Sequence, residues 1–216
     1  MGVHESQSRF YENILGRNKN FWIPVYGKVQ ELMPQMKEIT LDEFYHEINH
    51  VRNSLIRTEA DEVTYCFHII LRYEMEKAIF RDNVPVENLP ELWNQKMKEY
   101  LDITPANDAE GILQDMHWSD GSFGYFPSYL LGSIYDGMYL EELEKELGPV
   151  DEILKDGRIL QITKWLNKKI HWYGSTRTPK EVIANVCGKE VSAEPLVRYF
   201  EKKYADIYNL DHLMEK

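Results

Sequence analysis

Residues 46–50 read His46-Glu47-Ile48-Asn49-His50. H-E-x-x-H on a helix sets two zinc-binding histidines one turn apart, with a glutamate between them as general base. The segment opens at Thr40 with Glu43 three residues on, a capping-box arrangement that predicts a helix through TLDEFYHEINHVRNSL. At about 100° per residue, Leu41, Phe44, Tyr45, Ile48, Val51 and Leu55 form the apolar stripe, so His46 and His50 point about 160° away from Ile48. That is the face a globular protein gives to water. A catalytic zinc wants three protein ligands in a shaped cavity, and no third ligand stands nearby. The motif is expected to be a solvated coincidence; recruitment of its own zinc with Glu5 or another carboxylate is the outlying alternative.

Three other stretches carry chemistry. His4-Glu5-Ser6-Gln7-Ser8-Arg9 is a polar cluster at the head of an apolar-periodic helix, and its plain alternative is a frayed, solvated end. In SLIRTEADEVTYCFHIILRYEME, a long helix is expected from about Ser54. On it Arg57, Asp61, Thr64, His68 and Arg72 would line up within about 80° along a largely buried element. Buried charges at that density cost several kcal/mol each unless paired, so they form either a structural network or the wall of a polar cleft. In GILQDMHWSDGSFGYFPSY, Gln114, Asp115 and His117 precede Trp118, Tyr125 and Tyr129. His117 and Tyr125 could donate hydrogen bonds to a developing oxyanion; a satisfied core histidine beside packed aromatics is the alternative.

The elements that must position these residues read as helices, with no alternating strands, repeats or low-complexity linkers. HESQSRFYENILG closes at Gly16, and NKNFWIPVYGKVQELMP is interrupted near Pro24 and ended by Pro34. LPELWNQKMKEYLDI and YDGMYLEELEKELG follow, on either side of a glycine-rich turn region around GSFGYFPSYLLG. TPKEVIANVCG has Pro179 in its first turn and Gly188 at its end, and SAEPLVRYFEKKYADIYNL is the last helix. The expected fold is all-α, in a single domain spanning 1–216.

Charge narrows the partners. A formal net charge of −11 repels phosphate backbones and anionic membranes, so neither nucleic acid nor a membrane is expected as a partner. Cys66 and Cys187 are too few and too far apart for a disulfide framework, which favours a reducing, cytoplasmic setting. No apolar run is long enough to span a bilayer, and the start lacks the layout of a secretory signal. MGVHES matches a myristoylation pattern, taken here as a chance match because Met1-Gly2-Val3 looks like internal sequence of the family described next.

HESQSR, SLIRTEADEVTY and GILQDMHW, in that order and followed by SFGYFPSYLLG, resemble the carboxypeptidase Taq family of thermostable metallocarboxypeptidases. The family's motifs, HES(G/Q), IRxxAD and GxxQDxHW, match without a mismatch, and the likeness runs from Met1 to about Leu210. It implies the C-terminal part of a mostly helical, zincin-like cleft peptidase, homodimeric when complete, that releases C-terminal residues from peptides. Glu5 would be a zinc ligand and His4 its close neighbour at the substrate. Arg57 would grip a peptide C-terminus, with Gln114 and His117 lining the site and Tyr125 a transition-state donor. In the family the metal-binding HExxH precedes HES, whereas only three residues precede His4 here. The expectations are therefore zinc in the complete enzyme, with cobalt possible, and no tightly bound metal in this chain. The chain alone is expected to be inactive, to need the missing N-terminal portion as partner, and to self-associate. A non-catalytic helical peptide-binding or interaction protein is the rival reading.

Overall fold

In a computed structural model, residues 1–210 are described, so the expected domain extent of 1–216 reaches past them. Every regular element among them is helical. The chain divides into two compact units: Asn49–Leu130 with Met1, and Gly2–Ile48 with the stretch from Leu131 onward.

In the first unit, α5 (Thr64–Phe80) packs on α6 (Leu89–Leu101). Leu71 and Met75 meet Leu89, Trp93, Met97 and Leu101 in a core where each large side chain contributes about 1.5–3 kcal/mol by leaving water. A smaller cluster joins Ala60, Tyr65 and Ile69 to Phe126. α5 begins at Thr64, not near Ser54, and residues 51–63 are irregular except for a 3-10 turn at Arg57–Glu59. The cause is Asp61. Its Oδ1 accepts from the Val63 and Thr64 amides, both at 2.9 Å, and its Oδ2 accepts from Thr64 Oγ1 at 2.7 Å. A carboxylate satisfying the first free amides makes a helix start that outweighs the apolar periodicity upstream. Arg57 and Asp61 therefore do not share a helical strip with Thr64, His68 and Arg72.

In the second unit, α1 (Gly2–Arg9) runs into a π-helix at Phe10–Leu15. α2 (Lys19–Trp22), α3 (Tyr26–Leu32) and α4 (Leu41–Ile48) follow, broken at Pro24 and Pro34 as the sequence indicates. α4 has the expected capping box, with the Glu43 amide donating to Thr40 Oγ1 and the Thr40 amide to Glu43 Oε2. It stops at Ile48, whose carbonyl accepts from Arg17 Nη1 at 2.8 Å. His50 thus lies beyond the helix, and the one-turn spacing of HEINH never forms.

α7 (Pro127–Leu147) gives its first turn to the first unit and the rest to the second. It starts well before YDGMYLEELEKELG, inside the expected turn region, because Pro127 occupies a first-turn position where a missing amide hydrogen costs nothing. α8 (Val150–Lys155) and α9 (Ile159–Lys169) fall where no element was assigned. α10 (Pro179–Cys187) carries the Thr178/Glu181 capping box and ends at Gly188 with φ 63°; α11 (Glu194–Tyr208) is the last. The second unit's core gathers Phe10, Ile14 and Leu15 against Tyr139, Leu143, Ile162, Leu166 and Ile183.

Candidate active site

In the first unit two sequence motifs are locked together at one carboxylate. Arg57 Nε and Nη2 donate to Asp115 Oδ1 at 3.0 and 2.6 Å, and Arg72 Nε donates to Asp115 Oδ2 at 2.6 Å. Gln114 closes the arrangement. Its Oε1 accepts from the Arg57 amide at 2.9 Å and from Arg72 Nη2 at 2.8 Å, while its Nε2 donates to the carbonyls of Leu55, Glu110 and Gly111. The third Arg57 donor in use, Nη1, reaches Tyr65 OH at 2.8 Å. The Arg72 guanidinium lies 4.9 Å from the Trp93 ring centroid, and that of Arg57 lies 5.1 Å from Tyr129. The buried charges are thus paired in one network, and it includes Tyr65, which no spacing in the sequence marked.

Electrostatics follow from the burial. Loss of water lowers Arg72 to about 10, against the pull of Asp115. Burial resists ionisation of Asp115, but the Arg57 hydrogen bond and the charges of Arg72 and Arg57 hold its carboxyl below the usual range. His68, wholly buried, is pushed down to about 4 by burial and then by the charges of Arg72 and Arg57.

A pH prediction arises here. An unfolded histidine takes up its proton near 6.5, whereas folded His68 resists until about 4. Over that window the unfolded state binds more protons, so stability falls as pH drops from 6.5 to 4, by on the order of 3 kcal/mol. Asp115, depressed when folded, adds a further loss below the normal aspartate value. Urea midpoints measured across this range should decline, and His68→Gln should flatten the upper part of the decline. A slope unchanged by that substitution would remove His68 as its source.

His117 stands beside the lock. Its Nε2 lies 3.0 Å from Tyr129 OH, its ring lies 4.4 Å from Phe126 and 5.8 Å from Tyr125, and its Nδ1 has no hydrogen-bond partner among the described residues. Burial and the nearby Arg57 charge lower it, so the ring is neutral at pH 7. Tyr125 packs at 5.3 Å on Tyr129, leaving a histidine and two tyrosines in one aromatic group. Glu76 fixes the turn behind them by accepting from Trp118 Nε1 and the Gly124 amide, each at 3.0 Å. Sequence reasoning missed Glu76, and Tyr129 entered it only as an aromatic.

His4 and Glu5 belong to the second unit. His4 is exposed and Glu5 half-buried on α1. This end is not a frayed tail. Ser6 is fully buried and its Oγ donates to Asp136 Oδ1 at 2.6 Å, while Arg9, also buried, donates from Nε to Ser133 Oγ at 2.8 Å. Burial drives Asp136 well above the usual carboxylate range, an effect only partly offset by Ser6 and Arg9. Gly132 lets α1 approach: a Cβ there would stand 2.7 Å from the Ser6 amide nitrogen and 2.9 Å from the Glu5 carbonyl carbon. Asp136 and Gly132 had no signal in the sequence.

Metal donors are sparse. Among the described residues no three His, Cys, Asp or Glu side chains are grouped to hold a metal ion. Glu5 is a single carboxylate where catalytic zinc takes three protein ligands, so these residues do not complete such a site by themselves. His46 and His50 are both exposed.

Residues 1–204 match the family model described as carboxypeptidase Taq (M32) metallopeptidase. The chain is 51% identical over 211 residues to Carboxypeptidase 1 of Bacillus subtilis, covering 97% of this chain and 42% of that protein. Against Thermostable carboxypeptidase 1 of Thermus thermophilus it is 41% identical, covering 96% of this chain and 41% of that one. The crystal structure of the M32 carboxypeptidase from Deinococcus radiodurans R1 superposes with a TM-score of 0.92 at 32% identity, over 96% of this chain and 42% of that chain. The chain thus spans about two fifths of the length of the curated relatives it matches. No helix among the described residues is long and apolar enough to cross a membrane. With an all-helical fold and a family match along nearly its whole length, the chain belongs to the carboxypeptidase Taq (M32) family of metallopeptidases.

Proposed function

We propose that the chain is the C-terminal portion of a single catalytic domain of a zinc metallocarboxypeptidase, which releases C-terminal residues from peptides. The observation that carries this reading is the Asp115 lock, which ties IRTEAD to GILQDMHW and holds neutral His117 beside Tyr125 and Tyr129.

In this reading Glu5 supplies one metal ligand and His4 contacts substrate next to it. The remaining ligands come from a portion of the enzyme outside these 216 residues. Arg57 offers a peptide carboxylate the guanidinium hydrogens that Asp115 and Tyr65 leave over, and Gln114 keeps it in place. His117 and Tyr125 donate hydrogen bonds to the oxygen that becomes negative as the peptide carbonyl is attacked. Preorganised donors of this kind are worth about 2.7–4 kcal/mol each in acyl transfer. The working metal is zinc, with cobalt as a substitute, and the complete enzyme is a cytoplasmic homodimer.

The chain alone is expected to release no amino acids from peptides. Co-expression with the part of Bacillus subtilis Carboxypeptidase 1 that the chain does not match should restore chelator-sensitive release. A folded, associated complex without such release would favour a non-catalytic peptide-binding protein.

A further inference from the structure

From Arg158 to Lys180 the chain has Arg158, Lys164, Lys168, Lys169, Arg177 and Lys180 and not one Asp or Glu, although acidic residues outnumber basic ones 36 to 25 overall. The fold shapes this basic stretch into a groove. The exposed face of α9 supplies Lys164, Asn167 and Lys168, the turn after it supplies Trp172 and Tyr173, and α10 supplies Asn185, around about 630 Å³ of open volume.

The charges in it are only partly compensated: Glu146 pairs with Lys169, which also lines the groove, and its carboxyl is held below the usual range by the Lys169 hydrogen bond and, less strongly, by the charge of Lys168. Arg158 pairs with Asp156, but Lys164 and Lys168 have no ion-pair partner among the described residues. They stand one helical turn apart, where like charges destabilise the helix by about 0.2–0.5 kcal/mol. Trp172 beside them is 80% exposed, and Arg177 lies 3.5 Å over the Tyr173 ring. Tryptophan and arginine are the side chains that most often anchor interfaces.

We propose that this groove docks an acidic peptide segment of a partner protein. Carboxylates would neutralise Lys164 and Lys168, an apolar side chain would cover Trp172, and the amides of Asn167 and Asn185 would meet peptide backbone. Complementary charge favours a short acidic segment over a nucleic acid. Beyond the groove the chain is strongly negative, and an extended phosphate backbone would run into that field within roughly one Debye length, about 8 Å.

The test is fluorescence anisotropy with a labelled short peptide of alternating Glu and Leu, the same peptide with Gln for Glu, and an oligothymidine of equal length. The Glu peptide should bind, with affinity falling as salt rises. The Gln peptide should bind roughly tenfold more weakly, as should the Glu peptide on Trp172→Ala, and Lys164→Glu/Lys168→Glu should abolish binding. These side chains are exposed, and unchanged melting curves would show that the variants fold. Absence of binding, affinity indifferent to the three positions, or tighter binding of oligothymidine would each overturn the proposal.

Discussion

Asp115→Ala should cost about 3–5 kcal/mol, a large share of the roughly 5–15 kcal/mol by which a native protein is stable. The substitution leaves Arg57 and Arg72 facing each other with their shared carboxylate gone, and the Arg72 side chain has no exposed surface through which to recover water. Removing one partner of a buried ion pair is far more damaging than the pair itself is stabilising, because the surviving charge stays desolvated. Here two charges survive. Asp115→Asn should fall between, since an amide oxygen accepts from one arginine while its NH2 group opposes the other. Chemical denaturation of the three proteins checks the order. Equal midpoints for parent and alanine variant would mean that water reaches the arginines.

Gly132→Ala should destabilise by about 1–3 kcal/mol, although alanine is the better helix former. The new Cβ would lie 2.7 Å from the Ser6 nitrogen and 3.0 Å from Glu5 Cβ. The first of these is backbone, which cannot swing aside as a flexible side chain does, so α1 must shift as a body and strain the Ser6–Asp136 hydrogen bond. Gly27→Ala in α3 is the matched control. It meets nothing within 4 Å, and the same exchange should stabilise by up to about 1 kcal/mol. Thermal melts of both variants measure the contrast. A Gly132→Ala protein as stable as Gly27→Ala would show that α1 can draw back from Gly132 at little cost.

Some local chemistry was legible in the sequence. Thr40 with Glu43, and Gly188, each act on amides or backbone angles within a turn of themselves, and each does what its position implies; the equally local Thr178/Glu181 box was passed over. Long-range partners were not legible. A wheel drawn from Ser54 put Arg57 on the same strip as Arg72, and the two do converge, but through Asp115, more than forty residues from either in sequence. The helix between them was misplaced because Asp61 reads as another charge on a strip until its hydrogen bonds to residues 63 and 64 are seen. HEINH illustrates the opposite error. Five residues spell a metal motif, yet α4 ends at Ile48, and the geometry that gives the motif meaning is absent. Asp136 drew no reading from the sequence; it is buried against Ser6 where Gly132, one turn earlier in α7, lets α1 come close.

In the proposed enzyme Glu5, not His46 or His50, supplies this chain's ligand to the catalytic metal. The measurement that tests it most directly is zinc per complex, counted after the chain is joined to the complementary portion of the Bacillus subtilis relative. Parent, Glu5→Gln and His46→Ala/His50→Ala should be compared. About one zinc is expected for the parent and the double histidine variant, and little for Glu5→Gln, in line with the three ligands a catalytic zinc requires. Zinc kept by Glu5→Gln, or lost from the histidine variant, would contradict it.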